Sequence, residues 1–212
     1  PVDGLADEQG DPIVIDPADP TLTVELTNTL AVPVSLIITG QSLPTNGTAG
    51  SITPVYNANG RVRSFVHETA AGTTANYVWA NINVGSHIYH SATHQQTQVA
   101  MGLYGALTKD NALNQAYPGV TYVNQISLFY SEVDPVLNTA IAAGCFGANA
   151  DPACGTGTLP AAISSALNYL PKYFLVNGMP ADGTVLTPAG LTNENTLIRF
   201  FSAGFESHVP EL

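Results

Sequence analysis

The side chains with the most chemistry in this chain are five histidines and two cysteines. Three of the histidines fall in one stretch, Gly85-Ser86-His87-Ile88-Tyr89-His90-Ser91-Ala92-Thr93-His94. His90 and His94 have three residues between them, one at the end of a predicted strand and one in the loop that follows, a spacing that lets two imidazoles approach one metal ion. They are the candidate metal contacts, against the alternative of a structural or surface role for each. Alternation along a strand puts His87 on the face opposite His90, so it does not join them. His67 and Glu68 are adjacent, hence on opposite faces, and His208 stands near the end of the sequence with its role open. Nucleophilic catalysis finds no support, because no serine sits in a Gly-x-Ser-x-Gly turn.

Cys145 and Cys154 lie in Gly144-Cys-Phe-Gly-Ala-Asn-Ala-Asp-Pro-Ala-Cys-Gly155, whose turn residues let the two sulfurs meet. The expected product is a disulfide, which for so short a loop contributes about 2 to 3 kcal/mol on the chain-entropy account. The alternative is a thiol pair on a metal, though no histidine lies near either cysteine in sequence. A disulfide implies an oxidising compartment. The sequence begins at Pro1 without an initiator methionine, which we read as a processed secretory product or a fragment, so a periplasmic or extracellular location is expected.

Composition narrows the partners. The 212 residues are 45% hydrophobic, enough for a sizeable core, and the five Lys and Arg stand against sixteen Asp and Glu, for a net charge of -11. Such a surface repels phosphate backbones, which excludes nucleic acid as a natural partner. No apolar run approaches the roughly 20 residues of a membrane-spanning helix, and no transmembrane segment is expected.

Short strands must position the histidines. Residues 1–20 hold six acids and four prolines and read as an acidic arm, with Ile13-Val14-Ile15 as one edge strand. Thr21–Thr27 alternates cleanly, and Val34–Ile38 has almost no polar face, as in a central strand covered on both sides. Further strands are expected over Arg61–His67, Asn76–Trp79, His87–His90, Val99–Leu107 and Thr121–Tyr130, with Ser91–Gln98 a polar loop. About seven short strands separated by turn signals predict an all-β Greek-key sandwich. Beyond it, Asp134 and Pro135 start a short helix ended by Gly144, and Ala161–Leu170 is a second helical candidate.

The order of motifs resembles the first domain of multicopper oxidases, which is built on the cupredoxin β-sandwich. That family carries Gly-Thr-x-x-Tyr-His-x-His and then a Gly-Leu-x-Gly strand. Here Gly85-Ser86-His87-Ile88-Tyr89-His90-Ser91-Ala92 is followed by Gln98-Val-Ala-Met-Gly-Leu103 and Gly105. The Lys172–Gly178 hairpin resembles the Phe-x-Ile-Asn-Gly that opens the second oxidase domain, and Thr196–Phe200 its next strand.

The resemblance implies a cupredoxin-like domain over 21–131, a connector with short helices and the Cys145–Cys154 loop over 132–171, and an incomplete second cupredoxin-like domain over 172–212. It also implies a trinuclear copper cluster, for which a first domain supplies four histidines. His90 matches one; the second position of its motif is Ala92. The Ile-His-x-His-Gly strand of the family is Leu36-Ile37-Ile38-Thr39-Gly40 here, so Ile37 and Thr39 fill the other two. The mononuclear copper site of the family, with its Cys-His pair, belongs to its last domain and has no counterpart in this sequence. No cofactor is therefore assigned with any force, copper being the one the resemblance allows.

The expected function is that of a non-catalytic cupredoxin-type module, a structural or interaction subunit of an envelope or extracellular assembly. Its partners would be other protein chains or a remainder of its own. The alternative is the leading part of a copper-dependent oxidoreductase whose redox centres lie in domains outside this sequence.

Overall fold

A computed structural model describes residues 10–48, 51–148, 150–180 and 190–209. Strands account for 39% of the chain and helices for 7%, which makes it an all-β protein. Two compact units divide the described residues: those within 10–128 with 190–201, and those within 129–180 with 202–209.

The larger unit is built on a four-stranded sheet in the order β1 (Gly10–Ile15), β8 (Tyr104–Lys109), β7 (Gly85–His90) and β3 (Ile37–Ile38). β1 runs parallel to β8, so the apolar island of the acidic arm is an edge strand whose Ile15 reaches the core. Opposite, β2 (Leu22–Thr27) pairs antiparallel with β6 (Thr74–Trp79), from Leu22 against Trp79 to Thr27 against Thr74. Along β2, Leu22, Val24 and Leu26 pack on the core while the threonines and Glu25 face out, as their period of two requires. Tyr77 and Trp79 are fully buried, and each polar end is satisfied: the indole N–H donates to Ser42 O at 2.9 Å and the phenol to His67 O at 3.1 Å. Two hairpins, β4–β5 (Val55–Tyr56, Val62–Ser64) and β9–β10 (Gln115–Tyr117, Val120–Thr121), complete the unit with β14 (Thr196–Ser202) beside β11 (Asn124–Val133).

Arg199 of β14 is buried, with its guanidinium on the Asp110 carboxylate and its Nη1 donating to Ser86 Oγ at 2.8 Å. The Tyr122 hydroxyl donates to the same carboxylate. Burial, then the bond to Asp110 and its charge, push the Tyr122 phenol above its usual range.

In the smaller unit the second half of β11 pairs with β12 (Tyr173–Val176), and β12 turns back into β13 (Met179–Pro180). Asn177 and Gly178 both take positive φ, 52° and 75°, the backbone of the tight hairpin that Asn-Gly favours. α2 spans Pro135–Ala142, with Asp134 Oδ1 accepting from Val136 N and Leu137 N at 2.9 and 3.1 Å. Asp134 Oδ2 accepts from Leu170 N at 3.0 Å. Burial alone would raise this carboxyl, but three backbone N–H groups and the Lys172 charge outweigh it and hold the group below the ordinary range. The Cys145–Cys154 disulfide is present, its Cα atoms 5.7 Å apart, with Cys145 fully buried.

Three expected elements differ. Val34–Ile38 is buried throughout, but only Ile37 and Ile38 enter a ladder, at the end of the sheet instead of its centre; Val34 bridges to Thr69 alone. The reason is Ser35, whose N–H turns to the side chain of Ser91. Val99–Leu107 is not one strand: α1 (Gln95–Gln98) runs into a turn that ends at Gly102, φ 93°, and β8 starts only at Tyr104. Ala161–Leu170 makes a single 3-10 turn, Ala166–Asn168, not a helix. Ser165 caps it within the turn, and Ile163 exchanges backbone hydrogen bonds with Cys145 and Gly147, which removes the residues a longer helix would need.

Candidate functional site

The four positions that the resemblance singles out do come together. β3 and β7 pair Ile37 with His90 and Ile38 with Tyr89. Thr39, just past β3, brings its hydroxyl within 3.2 Å of His90 Nε2. The other ring nitrogen, Nδ1, faces Ser91 O at 2.9 Å. A carbonyl only accepts, so Nδ1 carries the proton, and in the neutral ring Nε2 accepts from the Thr39 hydroxyl. Ile37 and Ala92 point the other way chemically: both belong to the buried apolar core with Leu36, Ile38, Val66 and Leu107.

Ala92 is held by a buried hydroxyl network. Its N–H donates to Ser35 Oγ at 3.1 Å, and the same oxygen accepts from Thr93 Oγ1 at 2.9 Å and meets Ser64 Oγ at 3.0 Å. Thr93 Oγ1 also lies 3.1 Å from Glu68 Oε1, whose carboxylate is clasped by the Arg63 guanidinium. The hydrogen bond from Arg63 to Glu68 raises that guanidinium further above its ordinary value, against a smaller burial effect. Ser91 Oγ donates to Gln98 Oε1 at 2.5 Å, and Gln98 Nε2 donates to Pro33 O at 2.8 Å. The loop after β7 is thus tied to the Val34–Leu36 segment by side chains that lie wholly inside the protein. Sequence reasoning passed over these residues. The available signal was a serine, Ser35, inside an otherwise apolar run.

His94 is exposed and caps α1 through its backbone, which sits in the left-handed region at φ 41° and ψ 52°. Its N–H donates to Arg63 O at 3.0 Å, and its carbonyl accepts from Thr97 N and Gln98 N. His87 serves the turn after β3: Nδ1 donates to Thr39 O at 3.1 Å, and Nε2 accepts from Gln41 Nε2 at 2.9 Å. Its ring lies against Gly40, where a Cβ would come within 3.2 Å of Nδ1. His67 stacks on Tyr77 at 4.3 Å and donates from Nε2 to Asn76 O. In the smaller unit His208 donates from Nε2 to the buried Glu132 carboxylate at 2.6 Å and stacks on Tyr130 at 4.9 Å. Glu132 also accepts from Phe205 N at 3.0 Å.

Among the described residues no three His, Cys, Asp or Glu side chains converge in a way that could hold a metal ion. A trinuclear copper cluster draws on nitrogen donors at all four matched positions; this chain offers one imidazole, one hydroxyl and two hydrocarbon groups. The residues present do not fit such a cluster.

This is a cupredoxin-like β protein with the fold of the multicopper oxidases. Among solved structures it is similar to a multi-copper oxidase from Pseudomonas thermotolerans, at 18% identity over 92% of this chain and 39% of the other, TM-score 0.54. The blue copper oxidase from Nitrosomonas europaea matches at 19% identity over 91% of this chain and 51% of the other, TM-score 0.56. Fet3p, described as a multicopper oxidase that functions in iron import, matches at 22% identity over 92% of this chain and 31% of the other, TM-score 0.56. The chain therefore spans between 31% and 51% of the length of these three structures. No protein-family model and no curated protein sequence matches it.

Proposed function

We propose that this chain is a non-catalytic cupredoxin-type module, a structural or interaction subunit of an envelope or extracellular assembly. The observation that supports it is the chemistry at the matched positions: His90 hydrogen-bonded at both ring nitrogens, the Thr39 hydroxyl, and the buried side chains of Ile37 and Ala92. Hydrocarbon carries no lone pair for a metal. Partnership with other protein chains, or with a remainder of its own, is supported by the smaller unit, which exposes Leu167, Leu170, Tyr173, Phe174 and Phe205. The disulfide supports an oxidising location, periplasmic or extracellular. In this reading the first cupredoxin-like domain covers 21–131, the connector 132–171, and the opening of a second domain 172–212.

A second reading makes the chain the N-terminal portion of a copper-dependent oxidoreductase. It draws on the aligned oxidase structures, of which this chain covers 31% to 51%. There His90 would be a metal contact through Nε2, taken from the Thr39 hydroxyl, with His94 as its neighbour in sequence. Metal analysis with electron paramagnetic resonance on the intact natural material separates the two. We expect no bound copper; copper in stoichiometric amount would overturn the first reading and favour the second.

A further inference from the structure

On the larger unit a half-open cleft of about 320 Å³ lies between the end of β2, the Asn28–Leu36 segment, the end of β7 and the residues leading into β8. Its walls are apolar: Leu26, Leu30, Val34, Leu36 and Leu103, with the Tyr89 ring among them. Tyr89 and Ser91 line it, and strand alternation directs the intervening His90 to the other face. The cleft is therefore separate from the four matched positions, Ile37, Thr39, His90 and Ala92, none of which lines it.

The cleft is preformed. Asn28 fixes its rim, donating from Nδ2 to Val32 O and Thr69 O at 2.8 and 3.0 Å while Oδ1 accepts from Leu30 N at 2.9 Å. The Tyr89 ring is locked over two glycines, since a Cβ on Gly105 or Gly10 would stand 2.3 or 2.1 Å from the phenol oxygen. That phenol donates to Asp11 O at 2.8 Å, and burial, with the Asp11 charge, pushes its pKa up to about 12.

The buried polar side chains around the cleft are already committed: Ser35 and Ser91 to the hydroxyl network, Asn28 to the rim, Tyr89 to Asp11. None of the described residues lining it carries a charge. Water entering such a space finds few partners, and an ion finds none. An apolar cavity of about 150 Å³ is known to hold benzene, so roughly twice that volume suits two fused rings. The net charge of -11 further disfavours anions.

We propose that this cleft is a binding site for a small uncharged aromatic molecule of about the size of indole or naphthalene. Recognition is by shape and desolvation, with no anchoring ion pair.

The test is a titration of the isotope-labelled 212-residue chain with indole, followed by amide chemical shifts, beside a parallel titration with indole-3-acetate. The expected result is saturable shifts centred on Asn28–Leu36, Tyr89 and Leu103, with the anion at least about tenfold weaker. Val34→Phe, which fills the cleft, weakens indole by about tenfold or more. Leu30→Trp, at the exposed mouth, does the same without burdening the core if Val34→Phe fails to fold. Absent or scattered shifts, equal binding of the anion, or undiminished binding by a folded filled variant would each overturn the proposal.

Discussion

The Thr39 hydroxyl stands 3.2 Å from His90 Nε2 and occupies the nitrogen that a metal would need. Because Nδ1 is held by Ser91 O, the imidazole has no other lone pair to offer.

On this geometry metal should contribute nothing to folding. Dialysis against a strong chelator should leave the thermal midpoint within about 1 °C, since only a ligand bound to the native state shifts it. A fall of several degrees, reversed by one metal, would show a native site that His90 or His94 helps to form.

The hydroxyl network should carry measurable stability. Ser35→Ala removes the acceptor of the Ala92 N–H and the partner of both Ser64 and Thr93, all in the buried interior. An unsatisfied buried donor costs about 1 to 3 kcal/mol, so the urea midpoint should drop accordingly. An unchanged midpoint would show that the network is replaceable by packing.

Gly105 should tolerate no side chain while Tyr89 is present. The Cβ of Gly105→Ala would lie 2.3 Å from the phenol, a clash expected to cost about 1 to 3 kcal/mol. Tyr89→Ala on the same background should recover part of that loss, a coupling that a double-mutant cycle reads directly. Additive losses would contradict the contact.

Asp134 gives a pH dependence with a definite sign. Its folded-state pKa is lowered, so the unfolded chain binds the proton more readily and the stabilisation is complete above the unfolded value near pH 4. It is lost as pH falls through the lower folded value. Asp134→Asn keeps an oxygen for the helix cap but turns an NH2 donor towards Leu170 N and removes the charge, so it should be less stable than the parent by about 1 to 3 kcal/mol at pH 7 and nearly equal to it in strong acid. A gap that persists unchanged below pH 3 would assign the effect to shape instead of charge.

Much of this protein is written locally. The period of two in Leu22, Val24 and Leu26, the Asp134-Pro135 helix start, the Asn177-Gly178 turn and the closely spaced cysteines each act over a few residues, so neighbouring side chains disclose them. The substitution of His by Ile37, Thr39 and Ala92 is likewise a matter of residue identity alone. What only the folded chain decided are meetings between residues that are not neighbours in sequence: Ser35 with Ser64 and Thr93, Arg199 with Asp110, Tyr89 over Gly105, and β1 laid parallel to β8. Such pairings leave no periodic trace, because a serine or a glycine looks the same along the chain whatever it touches. The same holds where local preference lost, at Ala161–Leu170, where backbone hydrogen bonds from Ile163 to the cysteine loop outcompeted a helix with nothing to pack against.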